Sequence, residues 1–276
     1  MWEGSDLKLQ RAREHIEAAD ELVDAYLDNG ACTVVRTADE RTGRTELRVQ
    51  ITAPPPARLA LVIGDAVHNL RAALDHVVFE AALSNSVGTL SPAAEEALMF
   101  PIRDKPPKGG WEQVVKDRLP GVPPPVCAVI EAEQPFRWTT SEHPTAHLFR
   151  PLWRVHDLDR IDKHRTLTVT TAALSHHAFG VHAEKDPEIR FYYAPGRVQD
   201  GQLLATYRTD SGATYMPDLN LAIVEGEAEL ANQTISATLA HLHQHVVWTV
   251  HRIRVAATPR DVHEPQPDAS EAAGAA

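Results

Sequence analysis

The chain has 276 residues, 43% hydrophobic and 24% charged, enough for one large domain or two small ones around a sizeable core. Its formal charge of −11 sets a background that repels nucleic acid and anionic membranes, and two cysteines, Cys32 and Cys127, are too few for a disulfide framework or a thiolate zinc site. The opening MWEGSDLKLQ lacks the basic start and apolar run of a signal peptide, and no stretch approaches ~18 uninterrupted apolar residues, so a cytoplasmic protein with no membrane partner is expected.

Ser5 is placed to cap a first helix over about 6–28, which ends at Asn29-Gly30. The next segment, CTVVRTADERTGRTELRVQIT, has two β-branched runs around a turn at Gly43 and reads as a hairpin, closed by APPPA. A long apolar helix follows over 57–84. Residues 85–125 are rich in Pro and Gly, with short helical pieces expected at 92–98 and 111–118. VPPPVCAVIEAEQPF gives another short helix after its prolines, stopping before Pro135.

A helix over about 144–160 leads into IDKHR. From 167 to about 224 the pattern turns to alternation, which predicts an antiparallel sheet with hairpin turns at PGRVQDGQ and TDSGAT. A last helix is expected over about 227–255, and the tail from 257 to 276 has too little apolar surface to order. Helices and strands fall in blocks, so the fold class is α+β: one domain over 1–256, a helical bundle around the 57–84 helix, an antiparallel sheet and a C-terminal helix.

Within that long helix, DAVHNLRAALDH carries Asp65, His68, Asn69, Arg71, Asp75 and His76. At about 100° per residue, all but Arg71 share a sector of about 120°, with Arg71 just beyond its edge. Short Asp, His and Asn suit a packed, hydrogen-bonded setting, where ionisable groups must be paired or bound. One reading is therefore an internal network that only positions helices. A second polar knot, HDLDRIDKHR, gathers His156, Asp157, Asp159, Arg160, Asp162, Lys163, His164 and Arg165 where a helix gives way to the sheet.

The string IGDAVHNLRAALDHVVFE, with FPI at 100–102, EQPF at 133–136 and IDKHR at 161–165, resembles a widespread bacterial family that brings no established activity. Arg71-Ala-Ala-Leu-Asp-His76 is also similar to the Arg-x4-His motif of the higher-eukaryote and prokaryote nucleotide-binding (HEPN) superfamily, helical proteins that are often metal-independent ribonucleases of toxin and defence systems. That likeness implies RNA as substrate, no cofactor and a homodimer across the motif. His76 would then move the proton and Arg71 would stabilise the transition-state charge, with His68, Asp75 and His164 in support.

Two alternatives stand beside it. Asp65 and His68, with His76 and Asp162, could hold zinc, iron or manganese in a hydrolase or oxidoreductase acting on a small molecule. The other is a non-catalytic interaction protein with a buried polar network. His241 and His245 in HLHQHVVWTVH stand one turn apart, while His243 points nearly the opposite way, so that run reads as the margin of an amphipathic helix.

Overall fold

A computed structural model describes residues 2–86, 89–138, 141–143, 146, 150–173, 184–192, 196–213, 219–225 and 233–258. It is α+β, with seven helices and two antiparallel sheets among these residues. Helix α1 (Glu3–Asp28) leads through the hairpin β1 (Cys32–Asp39) and β2 (Arg44–Ile51) into α2 (Ala57–Asn85). Short helices α3 (Pro92–Ala97), α4 (Gly110–Arg118) and α5 (Pro124–Ala132) follow, then α6 (Pro151–Asp162). Strands β3 (Val169–Ala173), β4 (Arg190–Phe191), β5 (Gly196–Arg197), β6 (Leu203–Arg208) and β7 (Leu219–Ile223) precede α7 (Ile235–Ala257).

Helix α2 is the axis of the bundle. Leu59, Ile63, Val67, Leu70, Leu74 and Val78 are fully sealed along it, and α1, α6 and α7 pack on its different sides. Each such side chain contributes roughly 1.5–3 kcal/mol of burial, which explains why so apolar a helix is central and not on the surface. Among the described residues no helix is long and apolar enough to cross a membrane.

Local chemistry sets most helix ends. Pro151 occupies the first turn of α6, and the helix starts there, not at 144; residues 144, 145 and 147–149 lie outside the described set. Thr234 caps α7, its Oγ1 accepting from the amide of Ala237 at 2.9 Å, so that helix begins at Ile235; the expected turns over 227–232 lie outside the described residues, as does the tail from 259. Ser5 is not the cap of α1. The helix starts at Glu3, and Ser5 lies buried in its first turn, where the Glu80 carboxylate of α2 accepts its amide at 3.1 Å and its hydroxyl. The capping is done from another helix, which no local pattern could reveal.

The sheet also differs from expectation. The hairpin pairs from Cys32↔Ile51 to Asp39↔Arg44, and β2 then pairs with β6, giving the order β1-β2-β6-β4. Strands β5, β3 and β7 form a second sheet. The segments around PGRVQDGQ and TDSGAT therefore do not close simple hairpins: β5 and β7 both leave for the second sheet. After β6 the chain turns through a 3-10 element at Thr209–Ser211 and a left-handed Gly212, φ +67°, which redirects it between sheets.

Candidate functional site

The polar residues of α2 divide among three neighbours. The first group is a clasp. Arg71, 7% exposed, donates from Nη2 to the Phe100 carbonyl at 2.7 Å and meets Asp75 Oδ1 at 3.0 Å. Asp75 in turn accepts the Phe100 amide at 2.8 Å. Both polar atoms of one buried backbone unit are thereby satisfied by an i, i+4 pair. Burial pushes the Asp75 carboxyl above its usual range, against the pull of Arg71 and the Phe100 amide. Nη1 of the same guanidinium is buried without a hydrogen-bond partner.

The EQPF motif completes this clasp. Gln134, fully buried, donates to the carbonyls of Pro101 at 2.8 Å and Ile130 at 3.0 Å, and accepts the Arg103 amide at 3.0 Å. Three sequence motifs thus meet around residues 100–103, with His156 nearby. Burial, then Arg71, hold the His156 imidazole below its ordinary range.

His76 belongs to a different contact. A Cβ on Gly4 would lie 2.5 Å from His76 Nδ1 and 3.0 Å from Glu80 Oε1, so the first turn of α1 rests on these two side chains. Arg71 faces the 100–103 segment and His76 faces α1, consistent with the rotation of about 140° between them on an ideal helix. The structure does not join them in one constellation.

The third group is open to solvent. His68, 53% exposed, places Nδ1 3.0 Å from Oδ1 of Asp159, whose side chain is 5% exposed. Lys163, one turn further along α6, reaches Oδ2 of the same carboxylate at 2.7 Å. Asp162 lies against Gly64 of α2, where a Cβ would overlap its carboxyl group. Burial raises the Asp162 pKa; Asp65 and Asp159 push it the same way, and His68 opposes them. Asp65 is exposed beside this group, and Asn69 is held by a bond to the Asp65 carbonyl at 2.8 Å and by Lys8 of α1 at 3.5 Å.

A buried carboxylate beside one nitrogen of an exposed imidazole favours the tautomer that carries its proton there, which would leave Nε2 of His68 as the acceptor. Chemically this His68–Asp159 pair is the strongest feature of the seam between α2 and α6. His164 is exposed beyond the end of α6. Of the alternative metal set, Asp65, His68 and Asp162 are neighbours but His76 is about 12 Å further along α2 by helical rise. Among the described residues no three His, Cys, Asp or Glu are grouped to hold a metal ion.

Asp159 and Lys163 stood in the second polar knot; their i, i+4 spacing was the available signal that they share a face. Glu80 and Glu133, both buried acceptors of ion pairs or helix-end amides, gave no such signal because each answers to a helix distant in sequence. Comparison with known proteins adds nothing to the geometry: no family model, curated protein or solved structure matches the chain.

Proposed function

We propose that the α2–α6 seam is a metal-independent acid–base site that cleaves RNA, the substrate class implied by the Arg-x4-His likeness, but with His68 and not His76 as base. The observation that carries this reading is an exposed imidazole fixed by a buried carboxylate. His68 Nε2 takes the proton of a ribose 2′-hydroxyl, whose oxygen attacks the adjacent phosphorus. The P–O5′ bond breaks, and the imidazolium formed on His68 returns the proton to the 5′-oxygen. The Lys163 ammonium offsets charge on the phosphoryl oxygens. The products are a 2′,3′-cyclic phosphate and a 5′-hydroxyl. Arg71 has no part in this, since its guanidinium is committed to Phe100 and Asp75.

The test is cleavage of a panel of labelled RNAs in the presence of chelator. Activity should survive chelation and fall by about 10²–10⁴ in His68→Ala. No cleavage of any RNA, or cleavage undiminished in His68→Ala, overturns the proposal. Loss in His76→Ala with His68→Ala unaffected returns the chemistry to the Arg71/His76 pair. A second reading, a non-catalytic interaction protein, is favoured by the clasp itself, which spends two of the most distinctive motif residues on holding one backbone segment.

A further inference from the structure

Helix α7 carries a stripe that the other described elements leave uncovered. Ala237, His241, Gln244, Trp248, His251 and Val255 are all exposed, and the spacing runs on to Thr258 at the C-cap. Steps of four and three residues alternate along this line, the repeat that keeps one face of a helix against a second helix. Ala240 and Val247 are the other exposed residues of α7, so none of its exposed positions carries Asp, Glu, Lys or Arg. Arg252 and Arg254, half-buried beside the stripe, are turned to Glu133 and Asp6. The solvent face of α1 is built in the opposite way, with Arg11, Arg13, Glu14, Glu17, Glu21 and Asp24 exposed along it.

The stripe is apolar where it stands out most: Trp248 is 56% exposed, Val255 60% and Val247 39%. Beside them lies a groove of about 920 Å³, bordered by Pro125, Ala128 and Val129 of α5 and by Trp248 and Val255 of α7. A projecting indole next to an apolar groove puts a knob and a hole on one surface, the self-complementarity that a two-fold contact requires. Charge favours the same partner. With a formal charge of −11, two copies of the chain repel each other overall, and a stripe without carboxylates lets them meet while offering nothing to a strongly charged partner. The area is also sufficient. Over its 23 residues α7 rises about 35 Å, and with α5 it presents roughly 500 Å² per copy, or about 1,000 Å² for two, the size at which a specific interface begins.

We infer that α7 packs against α7 of a second copy in an antiparallel, two-fold dimer, with Trp248 of each chain seated in the α5–α7 groove of the other. The crossing falls near His251, which lies between Trp248 and Val255 on the stripe. This face is separate from the Arg71–His76 stretch of α2, whose side chains are turned to Phe100 and α1.

Sedimentation velocity of the full chain tests it, and the weight-average mass should rise toward two chains between about 1 and 100 µM. Trp248→Glu and Val255→Glu, both at positions more than half exposed, should each weaken association at least tenfold and leave the melting of the dilute chain unchanged. Glu14→Ala, on the exposed face of α1, should leave association as it was. Oxidation with diamide should join His251→Cys chains to one another and leave Glu14→Cys chains single, because Cys32 and Cys127 are buried and do not compete. A chain that stays monomeric to 100 µM, a dimer indifferent to both glutamates, or His251→Cys chains that do not join overturns the inference. So does a dimer that forms only once residues 259–276 are removed, since that tail and not a second copy then covers the stripe.

Discussion

Arg71→Met should lower stability far more than it lowers any activity, because the guanidinium is a structural clasp. The substitution keeps most of the buried stem and removes the 2.7 Å bond to the Phe100 carbonyl and the 3.0 Å contact with Asp75. Charge-assisted bonds contribute about 1.5–3 kcal/mol each, but Asp75 is 36% exposed and can be partly rehydrated, so the net loss is about 3 kcal/mol. Asp75→Leu should cost more, about 4 kcal/mol, since it strands a guanidinium that is only 7% exposed and takes the acceptor from the Phe100 amide. The double variant has no stranded charge and should also lose about 4 kcal/mol, leaving a coupling of about 3 kcal/mol between the two sites. Urea unfolding of the four proteins measures the cycle; thermal scans should show a fall of about 6–12 °C for Arg71→Met. Additive single effects, or an Arg71→Met protein within about 1 kcal/mol of the parent, would refute the clasp.

Gly64→Ala should destabilise by about 1–3 kcal/mol, because its methyl meets the Asp162 carboxyl, and adding Asp162→Ala should recover most of that in the same denaturation assay. Asp162→Asn should raise the melting temperature at neutral pH. The raised carboxyl pKa means the native state holds that proton more tightly than the unfolded chain. Its favourable contribution is full below the ordinary value of 3.8 and is lost as pH rises through the raised value, so the gain from Asn should vanish in scans below 3.8. Gln134→Leu should cost about 3 kcal/mol, since two carbonyls and the Arg103 amide lose their partner at a fully buried position; urea midpoints within error of the parent would contradict this.

The parts of the fold written in local periodicity were legible. The hairpin with its turn at Gly43, the apolar α2 and the final helix follow from alternation, helical spacing and turn residues, and the structure places them within a few residues except where Pro151 and Thr234 set later starts. The division into two sheets was not legible. Strands β4 and β5 are two residues each, too short to carry a pattern, and the partner of β2 is β6, some 160 residues away. Such pairings are decided by which edges the helices leave open, not by the strands alone.

The polar stripe shows the same limit more sharply. A helical wheel gives each residue an angle but not a neighbour, and α2 has a different neighbour at each angle. Rotations spread over about 140° of one helix therefore deliver Arg71 and Asp75 to Phe100, His76 to the first turn of α1, and His68 to Asp159. Burial then separates their roles. A guanidinium sealed against a backbone carbonyl has no open side for a substrate, whereas an imidazole that is 53% exposed beside a carboxylate that is 5% exposed keeps about half its surface open to one. Proton transfer needs that second arrangement, which is why the proposed chemistry of this helix is given to the histidine whose partner is hidden.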